Sequence, residues 1–523
     1  MENKFKDSLL DKDTMSVTWE VVPGRGAREK AQETALAQAE SAAKGGKVHA
    51  VTITDNPGGN PAILADYLGV EILKMGIEPL VHFTCKDKNR NQMESQLYSL
   101  DRAGVRNLLV MTGDYPVTGY QGRPKPVFDL DPTHSLDLIR EMNKGLEIQG
   151  PKGPSYNQNS DFYPGAAVSP FKATEAELVI QYYKLKKKIK NGAQFIVTQL
   201  GYDARKFHEV LQFLKINNID IPVVGNIYIL PFGAARVMNG NQIPGCVVPN
   251  KLLAEIDKER TAEDKGVGAR LLRAAKMYAF MKGMGFAGVH IGGHGIKYEQ
   301  VEYIIEKGEE LSKNWQELIS EFDYPQDNGF YYFEKDPTTG LNTDKPVNRK
   351  GRPLDAPVSM AYSMMRMAHA LAFEPGKPFF PLMQSIYKMR KDNKAHGLEH
   401  IIKVISNDCK DCGDCALLDL AYLCPMSQCP KNQRNGACGG SYEGWCEAFP
   451  NEKQCVWVKA YARLKKHGEE EQLGSYCIPP ANWNFYQTSS WYNFFLGLDH
   501  SAKRLGIKNP QPDNQGPNHN TKA

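Results

Sequence analysis

The chain has 523 residues, 41% hydrophobic and 24% charged, with a formal net charge of +4. That length exceeds one compact domain, and no apolar run approaches the ~20 residues of a membrane span. The small net charge offers no concentrated basic face for nucleic acid. The start lacks the charged end, apolar run and cleavage site of a signal peptide. A cytoplasmic setting with reduced thiols is therefore expected.

Residues 1–14 are polar and are expected to be flexible. From 15 to 320, apolar runs rich in β-formers alternate with helical patterns. Strands are expected near 16–22, 47–53, 79–83, 106–111, 164–168, 194–199, 221–226 and 286–290. Helices are expected over 26–44, 61–75, 91–103, 133–144, 173–191, 203–216 and 266–283. Such alternation means an α/β fold with a parallel sheet. Eight units with near-continuous apolar strands mean a (β/α)8 TIM barrel. An open doubly wound sheet is the competing architecture. Against it, no G-x-G-x-x-G follows the first strand and no P-loop occurs. The most basic run, Lys184–Lys190, reads as a solvated helix face.

Residues 321–380 read as a connector, with a short hairpin in 323–356 and a Met-rich helix over 359–373. Its methionines are expected in a core. Residues 381–506 form a smaller cysteine-rich domain, helical over 381–405 and 456–467, with an aromatic plug at 482–497 set against the barrel. Residues 507–523 are expected to be a disordered tail.

The cysteines carry the strongest chemical signal. Eight of the 11 lie in one stretch: Cys409, Cys412 and Cys415 as C-x2-C-x2-C, then Cys424, Cys429, Cys438, Cys446 and Cys455. Two-residue spacing lets thiolates on one turn reach a common centre. The stretch fits a disulfide framework, zinc or iron–sulfur, and a reducing setting disfavours disulfides. Zinc and a 4Fe–4S cluster each take four such ligands. Eight cysteines suffice for two centres, and the spacing does not choose between the metals.

Barrel enzymes place reactive groups at the C-terminal ends of strands. Here those ends offer Glu20, Thr52, His82, Thr84, the Thr112-Gly113-Asp114 turn, Gln199, and Asn226 to Tyr228. Glu20 stands inside the apolar run T-W-E-V-V. Facing inward it would lose hydration, its pKa would rise, and a protonated carboxyl can serve as a general acid. Facing outward it would be an ordinary solvated carboxylate. Gly113 would let a ligand approach the backbone closely.

W-E-V-V-P at Glu20, H-A-V-T at Thr52, V-H-F-T-C at His82, M-T-G-D at Asp114 and V-T-Q-L-G-Y-D at Gln199 resemble, in order and spacing, the methylenetetrahydrofolate reductases. The resemblance covers about 15–312. The cysteine-rich part resembles the domain that accompanies some bacterial members. The resemblance implies a barrel holding flavin, FAD rather than FMN, that reduces 5,10-methylenetetrahydrofolate to 5-methyltetrahydrofolate. It implies that Glu20 protonates folate N10, opening the ring to an iminium that accepts hydride. Asp114 would tune the flavin and help bind folate, and Gln199 would contact the pterin. Thr52, His82, Thr112, Gly113, Asp114, Ala166 and Lys188 would line the flavin.

Two departures are visible. Many stand-alone members carry Arg where Thr112 stands, so one cationic contact is missing. Where they carry an aromatic platform, this chain has Ala235, with Phe232 nearby. Electrons are therefore expected from a donor protein through the cysteines, with NAD(P)H the alternative, in a homo-oligomer or larger redox complex. Rival readings are a folate-dependent methyltransferase or demethylase with a corrinoid partner, and a barrel with a purely structural zinc docking module.

Overall fold

Eight short runs of Val, Ile, Leu and Phe set the architecture. In the computed structural model, which describes residues 3–395 and 397–509, they form β1 (Ser16–Val21), β2 (Ala50–Ile53), β3 (Glu78–Thr84), β4 (Asn107–Met111), β5 (Tyr163–Val168), β6 (Phe195–Thr198), β7 (Val223–Tyr228) and β8 (Gly288–Gly292). Each pairs in parallel with its neighbours in sequence, and β1 pairs with β8, closing the barrel. All eight expected strands are present. Their near-continuous apolar character follows from burial on both sides, against the barrel interior and against the helix ring.

The period of two divides each strand. Val17, Trp19, Val51, Val81, Val110, Ala166 and Ile196 pack outward under the helices. Ala50, Leu80, Leu109, Tyr163, Phe195 and Val224 fill the lower interior. The N-terminal segment is not frayed. Lys4–Leu10 is a helix capped by the Asn3 side chain, and it plugs the barrel floor with Phe5 and Leu9. The Phe5 ring meets Phe195 edge-on at 5.4 Å. Burying one such ring contributes about 2–3 kcal/mol, which local polarity in 1–14 does not reveal.

After β7 the chain adds helices Phe232–Asn239 and Asn250–Glu259, beyond the seven expected in the barrel. The hairpin Phe333–Lys335 with Asn342–Pro346 follows as expected. The helix Met360–Ala372 leaves Met360, Met364 and Met367 exposed, contrary to the core role expected for those methionines. The stretch 381–405 is two helices rather than one, Phe380–Met389 and Leu398–Asn407. Of the aromatic segment 482–497, Phe494 and Phe495 pack with Phe380, Tyr387 and Ile507 inside the C-terminal lobe. Its link to the barrel is Trp483, whose indole N–H donates to Asp129 at 2.8 Å. Most of the expected tail, 510–523, lies outside the described residues.

The lobe lies on the barrel helix Glu175–Lys190. Lys184, Lys187 and Lys188 of that helix are buried, while Lys186 and Lys190 stay exposed. The basic run is therefore not a solvated face. Lys184 Nζ donates to Gln433 Oε1 at 2.8 Å and to the Gly436 and Ala437 carbonyls. Lys465 and Tyr461 of the helix Val456–Lys465 bind Glu175 at its other end.

Candidate active site

Above the apolar floor the barrel interior turns polar. Thr18 Oγ1 lies 2.9 Å from His290 Nδ1, and His290 Nε2 lies 3.4 Å from Glu20 Oε2. Glu20 points inward, as β1 periodicity allows, and pairs in register with Thr52. Its carboxyl does not rise as expected. Burial pushes it up, but the hydrogen bond and charge of His290, helped by His82, outweigh burial and hold it below the ordinary glutamate value. Burial brings the His82 ring down to about 4, against the pull of Glu20.

These groups form the base of a cavity of about 350 Å³ at the C-terminal ends of the strands. Its wall contains nine of the sequence-derived candidates, Glu20, His82, Thr84, Thr112, Gly113, Asp114, Lys188, Gln199 and Asn226. Two of the residues that the resemblance implied lie elsewhere. Thr52 is one layer down, 3.5 Å from His290 Nδ1. Ala166 faces the helix ring, in register with outward-facing Val110 and Ile196. Its neighbour Ala167 meets the cavity, because the one-residue alternation of a strand separates the two sides.

Asp114 Oδ2 accepts from Gly58 N at 2.7 Å, tying the turn after β4 to the loop after β2. Gly113 has φ +81°, and a Cβ there would meet Lys86 at 2.7 Å and Thr84 at 2.9 Å. The positive φ and this crowding both call for glycine, and Gly113 also lines the cavity. Lys188 Nζ donates to the Ala167 carbonyl at 2.6 Å, and burial lowers its pKa to about 7. Ala235 is buried in its helix and Phe232 lies beneath the Arg260 guanidinium. Neither is part of the cavity wall.

Sequence reasoning missed several wall residues. His290 ends the eighth expected strand and was legible from position alone. Asp55, whose Oδ2 accepts from Thr84 Oγ1 at 2.6 Å and pairs with Lys88 at 3.0 Å, carried a weaker signal. Lys431, Cys438, Gly439, Gly440 and Glu447 come from the distant lobe, and no local pattern announces them. Lys431 donates to the Gly113 carbonyl at 2.7 Å and pairs with Glu447. A cation thus stands beside the Thr112-Gly113-Asp114 turn.

The eight cysteines separate into two nests. Cys409, Cys412, Cys415 and Cys424 surround one cavity of about 20 Å³. Cys429, Cys438, Cys446 and Cys455 surround another of about 20 Å³. All are free thiols. Among the described residues, no group of three or more His, Cys, Asp or Glu is placed to hold a metal ion. Each nest has a buried lysine at its edge, Lys403 at the first and Lys431 at the second. Cys438 belongs to both the second nest and the barrel cavity, and its thiol lies 3.4 Å from Glu447.

The class is thus a (β/α)8 barrel whose polar mouth is completed by a cysteine-rich lobe. The family model described as methylenetetrahydrofolate reductase matches residues 4–305, and one described as methylene-tetrahydrofolate reductase C terminal matches 388–484. The chain belongs to the methylenetetrahydrofolate reductase family. A probable methylenetetrahydrofolate reductase (NADPH) of Caenorhabditis elegans is 22% identical over 44% of this chain and 33% of its own length. Methylenetetrahydrofolate reductase 2 of Schizosaccharomyces pombe is 23% identical over 47% of this chain and 38% of its own. The chain therefore spans little more than a third of those relatives. A Clostridium thermocellum protein, described as binding two copies of 5-methyl-5,6,7,8-tetrahydrofolic acid, overlaps 59% of this chain and 98% of its own at 13% identity. Its TM-score of 0.42 is too low to carry an argument.

Proposed function

We propose that this chain reduces 5,10-methylenetetrahydrofolate to 5-methyltetrahydrofolate in the barrel mouth. One observation carries the reading: a chain of this family gathers Glu20, His82, Asp114, Lys188 and Gln199 around one cavity. The wall also suits a flat, polar-edged cofactor. Thr54 Oγ1, His82 Nε2 and Ser169 Oγ are buried there without a hydrogen-bond partner, and buried polar groups need partners. A flavin, FAD before FMN, would engage them, with Thr112, Gly113 and Lys188 beside it. Bound there, flavin supplies hydride chemistry.

The protein's own part is proton delivery and orientation. Glu20 hands a proton to folate N10, which opens the five-membered ring. His290 holds the carboxyl low in the free protein, so protonation of Glu20 depends on what binds above it. Folate that displaces water from the mouth strengthens the desolvation of Glu20 and so favours its protonated form. Asp114 after β4 and Gln199 after β6 orient the pterin from strand ends two places apart in the barrel. Lys431 and Glu447 bring the lobe to the same cavity.

For the lobe we propose iron–sulfur clusters, one per nest, rather than zinc. Four free thiols line each nest, yet none of the groups is tight enough for a single ion, whereas a multi-iron cluster holds its thiolates further apart. Such clusters would supply one-electron transfer between an outside donor protein and the barrel. The absence of an aromatic at the cavity wall near Ala235 favours that route over direct NAD(P)H.

The test is anaerobic oxidation of 5-methyltetrahydrofolate with a dye, alongside flavin, iron, sulfide and zinc analysis. Glu20→Gln should lower the folate-dependent rate by about 10²–10⁴-fold, the usual worth of a general acid, with flavin content unchanged. A folded protein that takes up neither FAD nor FMN, or E20Q turning over at the parent rate, would sink the proposal. Zinc without iron or sulfide would overturn the cluster assignment alone.

A further inference from the structure

A cavity of about 380 Å³ opens on the outside of the barrel, between the helices Asn250–Glu259 and Val267–Met284 and the segment Ser312–Phe322. None of its wall residues lines the mouth. The wall carries three cations, Lys251, Arg273 and Lys276, and three carboxylates, Glu255, Glu259 and Glu321. Two opposite pairs are closed within the chain, Arg273 Nη2 with Glu259 and Lys276 with Glu321. The remaining groups are open. The Arg273 side chain is only 10% exposed, yet its Nη1 has no hydrogen-bond partner. Lys251 Nζ donates to the Asp323 carbonyl at 3.1 Å and lies 5.0 Å from the centre of the Tyr324 ring. Glu255 accepts from the Tyr324 hydroxyl. Among the described residues, neither Lys251 nor Glu255 has an ion-pair partner.

Buried donors need acceptors, and the guanidinium fork is shaped to take a carboxylate. Tyr324 brings the open groups together. Burial and Glu255 push the pKa of its hydroxyl up, and the charge of Arg273 pulls against them. A cation and a carboxylate that are not paired with each other therefore flank one hydroxyl. The rest of the wall includes the apolar side chains of Ala269, Leu272 and Phe322. The volume falls within the roughly 300–1,000 Å³ of small-molecule sites, where a few polar groups fix orientation against apolar walls.

We propose that this cavity binds a free α-amino acid with an apolar side chain. The ligand carboxylate takes Arg273 Nη1, with Lys251 at the edge. The ligand ammonium goes to Glu255, and the side chain lies on Leu272 and Phe322. A single carbon joins the two charged ends of such a molecule, which suits receiving groups set around one phenol hydroxyl. A dicarboxylate or a phosphate would press a like charge on Glu255. A polyamine would leave Arg273 Nη1 without an acceptor. The cavity shares no residue with the mouth, so its test is independent of the folate reading.

Titration calorimetry of the full-length protein with its bound groups tests this, using L-leucine as the probe. The controls are 4-methylpentanoate, which lacks the ammonium, and 3-methylbutylamine, which lacks the carboxylate. L-leucine should bind once per chain with Kd below about 1 mM, and each control at least ~10-fold more weakly. Arg273→Lys keeps the charge but not the fork, and should weaken L-leucine at least ~10-fold. Glu255→Gln should bring L-leucine down to the level of 4-methylpentanoate. Where Arg273→Lys fails to fold, Glu255→Gln decides. No binding at about 10 mM L-leucine would overturn the proposal. So would 4-methylpentanoate or 3-methylbutylamine binding the parent as tightly as L-leucine, or parent affinity for L-leucine retained in Glu255→Gln.

Discussion

In the barrel, side chains of one parity pack under helices and those of the other fill a floor of Leu80, Leu109, Phe195 and Val224. In the lobe, the best-formed amphipathic helix buries a glutamate, a lysine and an asparagine and turns leucine and isoleucine outward. The first region is organised by apolar area, which any chain of suitable pattern can bury alone. The second is organised around thiols and their charged neighbours, so its order depends on what the thiols hold and on what covers its apolar side. Two regions of one chain thus answer to different denaturants: the barrel to loss of packing, the lobe to loss of ligands and partners.

The sharpest way to break that contrast is Gly413→Ala. Gly413 has φ +73°, and a Cβ would overlap the Phe485 carbonyl oxygen, which is backbone and cannot swing away. The first nest should lose on the order of 3 kcal/mol or more. Calorimetry should show the C-terminal transition falling while the barrel transition holds. Transitions that move together would mean a single cooperative unit, and the contrast would fail.

Lys431→Met addresses the seam. Lys431 and Glu447 are buried and paired at the barrel mouth. Removing one partner of such a pair typically costs about 3–5 kcal/mol, whereas replacing both is often near neutral. Denaturant unfolding of Lys431→Met, and of Lys431→Met with Glu447→Leu, should therefore give a large and a small loss. Equal losses would show that the pair does not join the regions.

The smallest effect separates them by pH. His500 lies 2.5 Å from Asp414 and 3.0 Å from Asp419. Burial lowers its pKa, but the two carboxylates raise it to about 9 overall. A histidine raised above its unfolded value of about 6.5 stabilises the fold fully below that pH and loses the effect as pH rises to about 9. The barrel carries the opposite sign at Asp131, where burial is outweighed by His134 and Lys184 and the pKa falls to about 2. Its contribution is lost only in acid, between about 3.8 and 2. The C-terminal transition should thus fall by up to about 3 kcal/mol from pH 6.5 to 9, and His500→Gln should flatten that slope. A barrel transition with the same alkaline slope would contradict the assignment.

The same contrast decides what was legible in the sequence. Strand periodicity located all eight barrel strands, and strand ends supplied Glu20, His82, Asp114 and Gln199. Ala166 failed by one residue, since family position does not carry strand parity and Ala167 does face the cavity. The eight cysteines were plain, but their division into nests was not, because sequence spacing does not report which loops fold back together. Charge predicts solvent for Lys184 and Lys187 only until a distant segment covers them, and for Lys188 only until its ammonium turns in to the Ala167 carbonyl of the barrel. The methionines of 360–372 were misread in reverse.

The lobe's cover over Lys184 and Lys187 also fixes an order of events during synthesis. A ribosome completes β8 long before it reaches Trp457, an interval of roughly 10–30 s at ordinary elongation rates. Throughout it Lys184 and Lys187 of the helix Glu175–Lys190 would stand in water with their ammonium groups hydrated. Only when Gln433, Gly436 and Ala437 arrive as acceptors for Lys184 can those charges give up their water. Desolvation of that helix therefore waits for the last third of the chain.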